Sequence, residues 1–228
     1  MLSKQGFNLW ANEYDKTVQV SEENGQYPFA GYKDILDVIF NEVMQEKEQR
    51  VLDIGIGTGV LAVQLAAYGH QITGLDFSKA MLEAAQQKLP QGTFYEWDLH
   101  DGLPSAIEQQ QFDAIISTYT LHHFTDDEKV VIIQKLLKLL APGGKLYIGD
   151  IAFSTGKDLE QCREDSIGYW DDDEFYFVTD HFVPLVEEFC QVAFYPMSHC
   201  GGVFICMGKL ESEAEYEQPH VEDKKKQL

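Results

Sequence analysis

The 228-residue chain is poor in positive charge: 17 Lys and Arg stand against 38 Asp and Glu, a formal net charge of −21. Phosphate backbones and anionic headgroups are held by clustered Lys and Arg, so nucleic acid and membrane surfaces make poor partners. Cysteine spacing is equally uninformative of a staple. Cys162, Cys190, Cys200 and Cys206 form no CxxC and no zinc-type Cys/His pattern. His199 beside Cys200 has no second ligand pair in the sequence, so no metal site is expected. No apolar run approaches the ~18 residues that span a bilayer. The first ten residues carry no signal-peptide core, and no internal repeat is present. These absences predict a soluble, reduced, cytoplasmic protein; separately, a monomer or homodimer is expected.

What remains is ample core material, 44% hydrophobic and 12% aromatic residues, enough for one α/β domain. Ile35, Leu36, Ile39, Phe40, Val43 and Met44 form a helical stripe. Arg50 to Ile54 reads as a buried strand, Thr58 to Tyr68 as a helix, Gln71 to Leu75 as a second strand closed by Asp76. Ser78 is an N-cap for the helix that Pro90 ends. Thr93 to Trp97 and the continuous apolar run Phe112 to Ser117 are further strands. Thr125-Asp126-Asp127-Glu128 is a capping box for a helix with Val130, Val131, Ile133, Leu136, Leu137 and Leu140 inward. Pro142-Gly143-Gly144 ends it before a strand over Lys145 to Gly149.

Strand and helix in such alternation predict a doubly wound, mostly parallel seven-stranded sheet with helices on both faces. Past Asp150 the rhythm breaks. Residues 154–178 are acidic and aromatic, around Trp170 to Phe177. A helix over Val183 to Phe189 and strands over Val192 to Met197 and Gly202 to Met207 follow, the strands as an antiparallel hairpin at the sheet edge. The expected division is a domain over 1–210, with a helical cap over 1–45 and a substrate lid over 154–178, followed by a polar tail over 211–228.

The most informative stretch is Val51-Leu52-Asp53-Ile54-Gly55-Ile56-Gly57-Thr58-Gly59, a strand running into three alternate glycines and then a helix. Such a turn permits positive φ and brings bare backbone and free N–H groups to a ligand. The dinucleotide fingerprint wants Gly or Ala three residues after the second glycine; Val60 stands there, which argues against a pyrophosphate. Asp76, ending the second strand, faces the same crevice and can accept both hydroxyls of a ribose. Its alternative role is to cap the next helix, which Ser78 can do instead.

Together, VLDIGIGTG, the acid of GLDFS, Asp98-Leu99 in EWDLHD, FDAIISTYTLHHF and LLAPGGKLYI resemble the class I S-adenosylmethionine-dependent methyltransferases, over about Val51 to Ile151. The fold implied is the Rossmann-like sheet of that class, the cofactor S-adenosyl-L-methionine. By resemblance, Gly55, Gly57 and Gly59 pass the methionine and ribose portions, and Asp53 meets the ammonium or ties the loop. Asp76 binds the ribose, Phe77 and Met81 pack on adenine, Asp98 and the Leu99 N–H meet its edge, and the Ser117 carbonyl meets the ammonium. The AxxYD-like Ala11–Asp15 segment adds Tyr14.

Transfer from a sulfonium asks mainly for alignment and water exclusion; a base matters for hydroxyl, ammonium or C–H acceptors. His123, and after it His122, are the candidates behind the fourth strand, in a role of catalysis or substrate orientation, or else of helix capping. The aromatic and acidic segment suits a small neutral or cationic methyl acceptor. Two other functions compete: a non-catalytic cofactor-binding or regulatory protein of the same fold, and an NAD-dependent oxidoreductase.

Overall fold

The computed structural model describes residues 14–209. Helices α1 (Tyr14–Glu23) and α2 (Tyr32–Val43) precede the strand β1 (Arg50–Ile54). There follow α3 (Val60–Ala67), β2 (Gln71–Asp76), α4 (Lys79–Lys88), β3 (Thr93–Glu96), a short α5 (Ser105–Glu108), β4 (Phe112–Thr118) and α6 (Asp126–Lys138). The chain continues through β5 (Leu140–Phe153), α7 (Gly156–Asp165), β6 (Phe177–Val178), α8 (Thr179–Val186), β7 (Cys190–Pro196) and β8 (Gly201–Gly208).

The strand order is β3-β2-β1-β4-β5-β8-β7, with the two-residue β6 pairing β5 off this path. Strands β1 to β5 pair in parallel, and β8 runs antiparallel to both β5 and β7. The expected hairpin is present, but its second strand is the one that joins the sheet body. The order reverses between β1 and β4, which makes a switch point at the carboxyl ends of those strands.

Period-two alternation divides the core. Val51, Ala114, Ile116 and Tyr147 pack on one face with Ile35, Ile39 and Val43 of α2 and Leu61 and Leu65 of α3. Leu52, Ile54, Ile115, Leu146 and Ile148 pack on the other with Ile132, Ile133 and Leu136 of α6 and Phe182 and Val186 of α8. Successive side chains of a strand point to opposite faces, so a strand covered on both reads as the unbroken apolar run seen in the sequence. Each fully buried aliphatic side chain contributes about 1.5–3 kcal/mol. At Gly149 α2 packs tightly on the sheet: a Cβ there would run into Ile35 and Ile39.

Local expectations change at several points, among them the helix expected over Val183 to Phe189, which runs over Thr179–Val186. Helix α3 starts at Val60, because Gly59 is left-handed at φ 78 and keeps Thr58 in the turn. Strand β5 begins at Leu140, since Phe112 pairs with Leu140 before a register shift that absorbs Pro142-Gly143-Gly144. On α6 the buried stripe is Lys129, Ile132, Ile133 and Leu136, while Val131 is 49% exposed. A lysine, not a valine, holds the first inward position.

Candidate active site

The glycine turn leaves β1 at the switch point. Gly55, Gly57 and Gly59 have φ of 71, 55 and 78, values open to glycine and strained for other residues. The N–H groups of Gly55 and Ile56 donate to the Leu75 carbonyl at 2.7 and 3.1 Å, binding the turn to β2. A Cβ on Gly55 would collide with Thr120, whereas one on Gly57 would meet nothing nearer than the Gly55 carbonyl oxygen at 4.0 Å. The first glycine is demanded by packing. The second leaves open space over bare backbone.

Asp53, on β1 between Gly74 of β2 and Ile116 of β4, is 3% exposed. Its Oδ1 has no hydrogen-bond partner among the described residues. Burial, reinforced by the neighbouring Asp76 charge, pushes its carboxyl up to about 8. A buried acid in that state is poised for a cation.

Asp76 is buried and shapes the turn: Oδ2 accepts from the Gly57 N–H at 2.9 Å and Oδ1 from the Ser78 N–H at 2.8 Å. Ser78 caps α4 as the sequence predicts, its Oγ accepting from the Met81 N–H. Phe77 is half-buried and Met81 buried. Asp98 caps a single 3-10 turn over Leu99–Asp101, accepting from the His100 N–H at 3.0 Å; its side chain is 50% exposed. Leu99 is buried. Ser117 is buried, and its hydroxyl donates to the Ile54 carbonyl at 3.2 Å, fastening β4 to β1. Helix α1 begins at Tyr14, whose side chain, like residues 1–13, lies outside the described set, as do residues 210–228.

Beyond β4, a 3-10 turn over Leu121–His123 carries the histidines. His122 is buried, its Nδ1 2.6 Å from Asp150 Oδ1 on β5. An ionised carboxylate only accepts, so Nδ1 is the protonated nitrogen, and Nε2 lies 3.6 Å from Glu174 Oε1. Asp150 also accepts from the N–H groups of Leu121, His122 and Ile151. Burial works against the His122 cation, but Asp150 and then Glu174 outweigh it and hold its pKa above the ordinary value. His123, with Nδ1 3.7 Å from Glu174 Oε1, goes the other way. Burial and then the His122 charge push it down to about 3. Both histidines face one carboxylate and titrate oppositely.

Sequence reading missed Asp150, Tyr27 and Lys129, and reached Glu174 and Tyr176 only as members of the acidic, aromatic segment around Trp170 to Phe177. Tyr176 donates to Glu174 Oε2 at 2.8 Å and shares a hydrogen bond with the Tyr27 hydroxyl. Trp170 stacks on Tyr27 with ring centroids 5.0 Å apart. The fully buried Lys129 donates to Asp126 Oδ1 at 2.8 Å and to the Phe175 carbonyl at 2.5 Å, and lies 4.3 Å over the Phe177 ring. The acidic segment is thus anchored, with Glu174 turned inward and Asp172 and Asp173 exposed. One signal was readable: an acid such as Asp150, inside a buried strand near its carboxyl end, faces a ligand crevice in folds of this kind.

Residues 51–144 match the family model of a methyltransferase domain. An uncharacterized methyltransferase of Bacillus cereus is 37% identical over 163 residues, covering 69% of this chain and 73% of that protein. One of Geobacillus sp. (strain WCH70) is 33% identical over 191 residues, covering 80% and 86%. Among solved structures, magnesium protoporphyrin IX methyltransferase from Synechocystis PCC 6803 with bound SAH superposes at a TM-score of 0.63 with 19% identity, over 79% of this chain and 85% of that one. The glycine turn, the strand order and these relatives agree: the chain belongs to the class I S-adenosylmethionine-dependent methyltransferases.

Proposed function

We propose that the protein transfers a methyl group from S-adenosylmethionine to a small neutral or cationic metabolite. The observation that carries the cofactor assignment is Asp53: a buried carboxyl with an unsatisfied oxygen among the described residues, beside an open glycine turn. An ammonium is the ligand group that would satisfy it. The cofactor, when bound, supplies the activated methyl on its sulfonium, and the chain's own work is to bind, orient and exclude water. Asp53 and the Ser117 carbonyl would receive the ammonium, with the open face of Gly57 passing beneath. Asp76, at the carboxyl end of β2 beside the glycine turn, would receive the ribose hydroxyls. Asp98, the Leu99 N–H, Phe77 and Met81 would border the adenine, and Tyr14 is retained from the family motif.

For the acceptor, the supporting feature is the Asp150–His122–Glu174 array behind β4. Asp150 fixes Nδ1–H and leaves Nε2 as the position where a proton from a hydroxyl or ammonium acceptor can be held. His123, a weak base in its setting, orients rather than accepts. The segment over 154–178 brings Glu174 and aromatic faces to this place, favouring a neutral or positive acceptor over an anionic one.

Calorimetry with S-adenosylmethionine, S-adenosylhomocysteine and NAD tests the cofactor. Binding of the first two without NAD is expected; NAD binding with no response to the sulfonium would sink the reading. Formation of S-adenosylhomocysteine across a panel of amines, alcohols and carboxylates then tests the acceptor class. Turnover confined to carboxylates would overturn that part.

A further inference from the structure

His199-Cys200 lacks a second ligand pair in the sequence, but the fold supplies another ligand. Cys162, on α7, comes to the β7–β8 turn so that its Sγ, the Cys200 Sγ and a His199 ring nitrogen all lie within 4.8 Å of one another. Cys162 is 4% exposed and Cys200 is fully buried. His199 is exposed and, with Cys162, Ser198 and Asp165, lines a cavity of about 400 Å³. Cys200 Sγ lies 3.9 Å from the Pro28 carbonyl. All three donors are soft or borderline, the class that zinc selects over magnesium or calcium.

We propose that Cys162, His199 and Cys200 form a binding site for a thiophilic divalent cation, zinc in the first instance, separate from the methyl-transfer site. Two thiolates and one neutral imidazole balance the dication, so the bound group carries no net charge into a buried place. Binding replaces two S–H bonds by two Zn–S bonds and releases two protons to solvent. The fourth position opens onto the cavity, where water completes a tetrahedron. The ion would join α7 to the β7–β8 turn, replacing the Cys200 S–H bond to the Pro28 carbonyl, and so would set how firmly α7 is held.

The test uses the full chain kept reduced with a non-chelating phosphine. Expected are one zinc per chain, retained against a competing chromogenic chelator, and thiolate-to-cobalt charge transfer with tetrahedral d–d bands when Co2+ is substituted. Stoichiometric binding should be lost in Cys162→Ser and in Cys200→Ser. His199→Ala, an exposed change that leaves the core alone, should lose the tetrahedral cobalt spectrum. Cys190→Ala, in the other buried thiol pair with Cys206, should bind as the parent does. Absence of binding by the parent chain overturns the site, and so does binding unchanged in either serine variant. An unchanged cobalt spectrum in His199→Ala removes the imidazole ligand and with it the proposal.

Discussion

At Asp53 the free energies of folding and of ligand binding are set against each other. Its carboxyl is raised from 3.8 to about 8 in the folded chain, chiefly by burial. The unfolded chain therefore releases this proton at lower pH than the folded one does. The stabilising contribution is full below about pH 4 and is lost as pH rises through about 8. Asp53→Asn should accordingly gain stability on the parent over that interval, and denaturant midpoints at a series of pH values would show the gap opening. A cationic ligand group reverses the preference: cofactor binding near neutral pH should expel a proton from Asp53. Calorimetry in buffers of unequal ionisation enthalpy would reveal this as a buffer-dependent heat, absent in the Asn variant.

Asp76→Ala should weaken cofactor binding by about 1–3 kcal/mol, and it also strands the N–H groups of Gly57 and Ser78. Both acids were readable because a strand, a glycine turn and the next strand are consecutive in the chain. Glu174 was not. It is one of four adjacent acids, and what turns it inward is Tyr176 and the distant Tyr27, a contact that no local pattern records.

Among the elements, α6 holds the most consequential surprise. Its inward stripe follows helical spacing, yet one member is Lys129, fully buried with its ammonium on Asp126, the Phe175 carbonyl and the face of Phe177. Such an ion pair need not add net stability, but removing the lysine takes the donor from the Phe175 carbonyl and leaves a cavity against Phe177, at about 2–5 kcal/mol. Lys129→Ala should lower the denaturant midpoint accordingly and raise hydrogen exchange over 174–178; unchanged exchange there would refute the anchoring role.

Helix α7 escaped sequence reading because it has almost no apolar stripe; Cys162 is its one buried residue. Its start was nevertheless written in Thr155 and Asp158, which form a reciprocal capping box, and Thr155→Ala should cost that helix about 1 kcal/mol. The alternation of β1, β2, β3 and β4 was legible because each strand is buried on both faces or closed by a glycine or an acid. The added length of β5 was not, since its first residues pair with β4 through a register shift.

Over the whole molecule, the charge of −21 is unevenly distributed. Residues 151–200 contain 11 acids and 2 bases, while residues 51–100 contain 5 and 2. The negative field is therefore concentrated where the acceptor is proposed to enter. Long-range attraction weakens as the Debye length shortens with salt. For a cationic acceptor KM should rise with ionic strength, for a neutral one it should stay flat, and kcat should be little changed in either case. Steady-state kinetics at several salt concentrations would distinguish the two classes.

The placement of β8 sets an order of assembly. Most neighbours in the sheet are made by segments close in the chain, but the strand between β5 and β7 is the last of the described strands to be synthesised. Until Gly201–Gly208 emerges, β5 presents a bare, apolar edge and β7 has nothing to pair with. Open edges of that kind invite pairing with other chains. A nascent chain halted before Gly201 should therefore be a ready substrate for chaperones and prone to aggregate, although the glycine turn and its carboxylates are already complete. The half of the molecule that reads as a cofactor site depends for its solubility on eight residues at the other end.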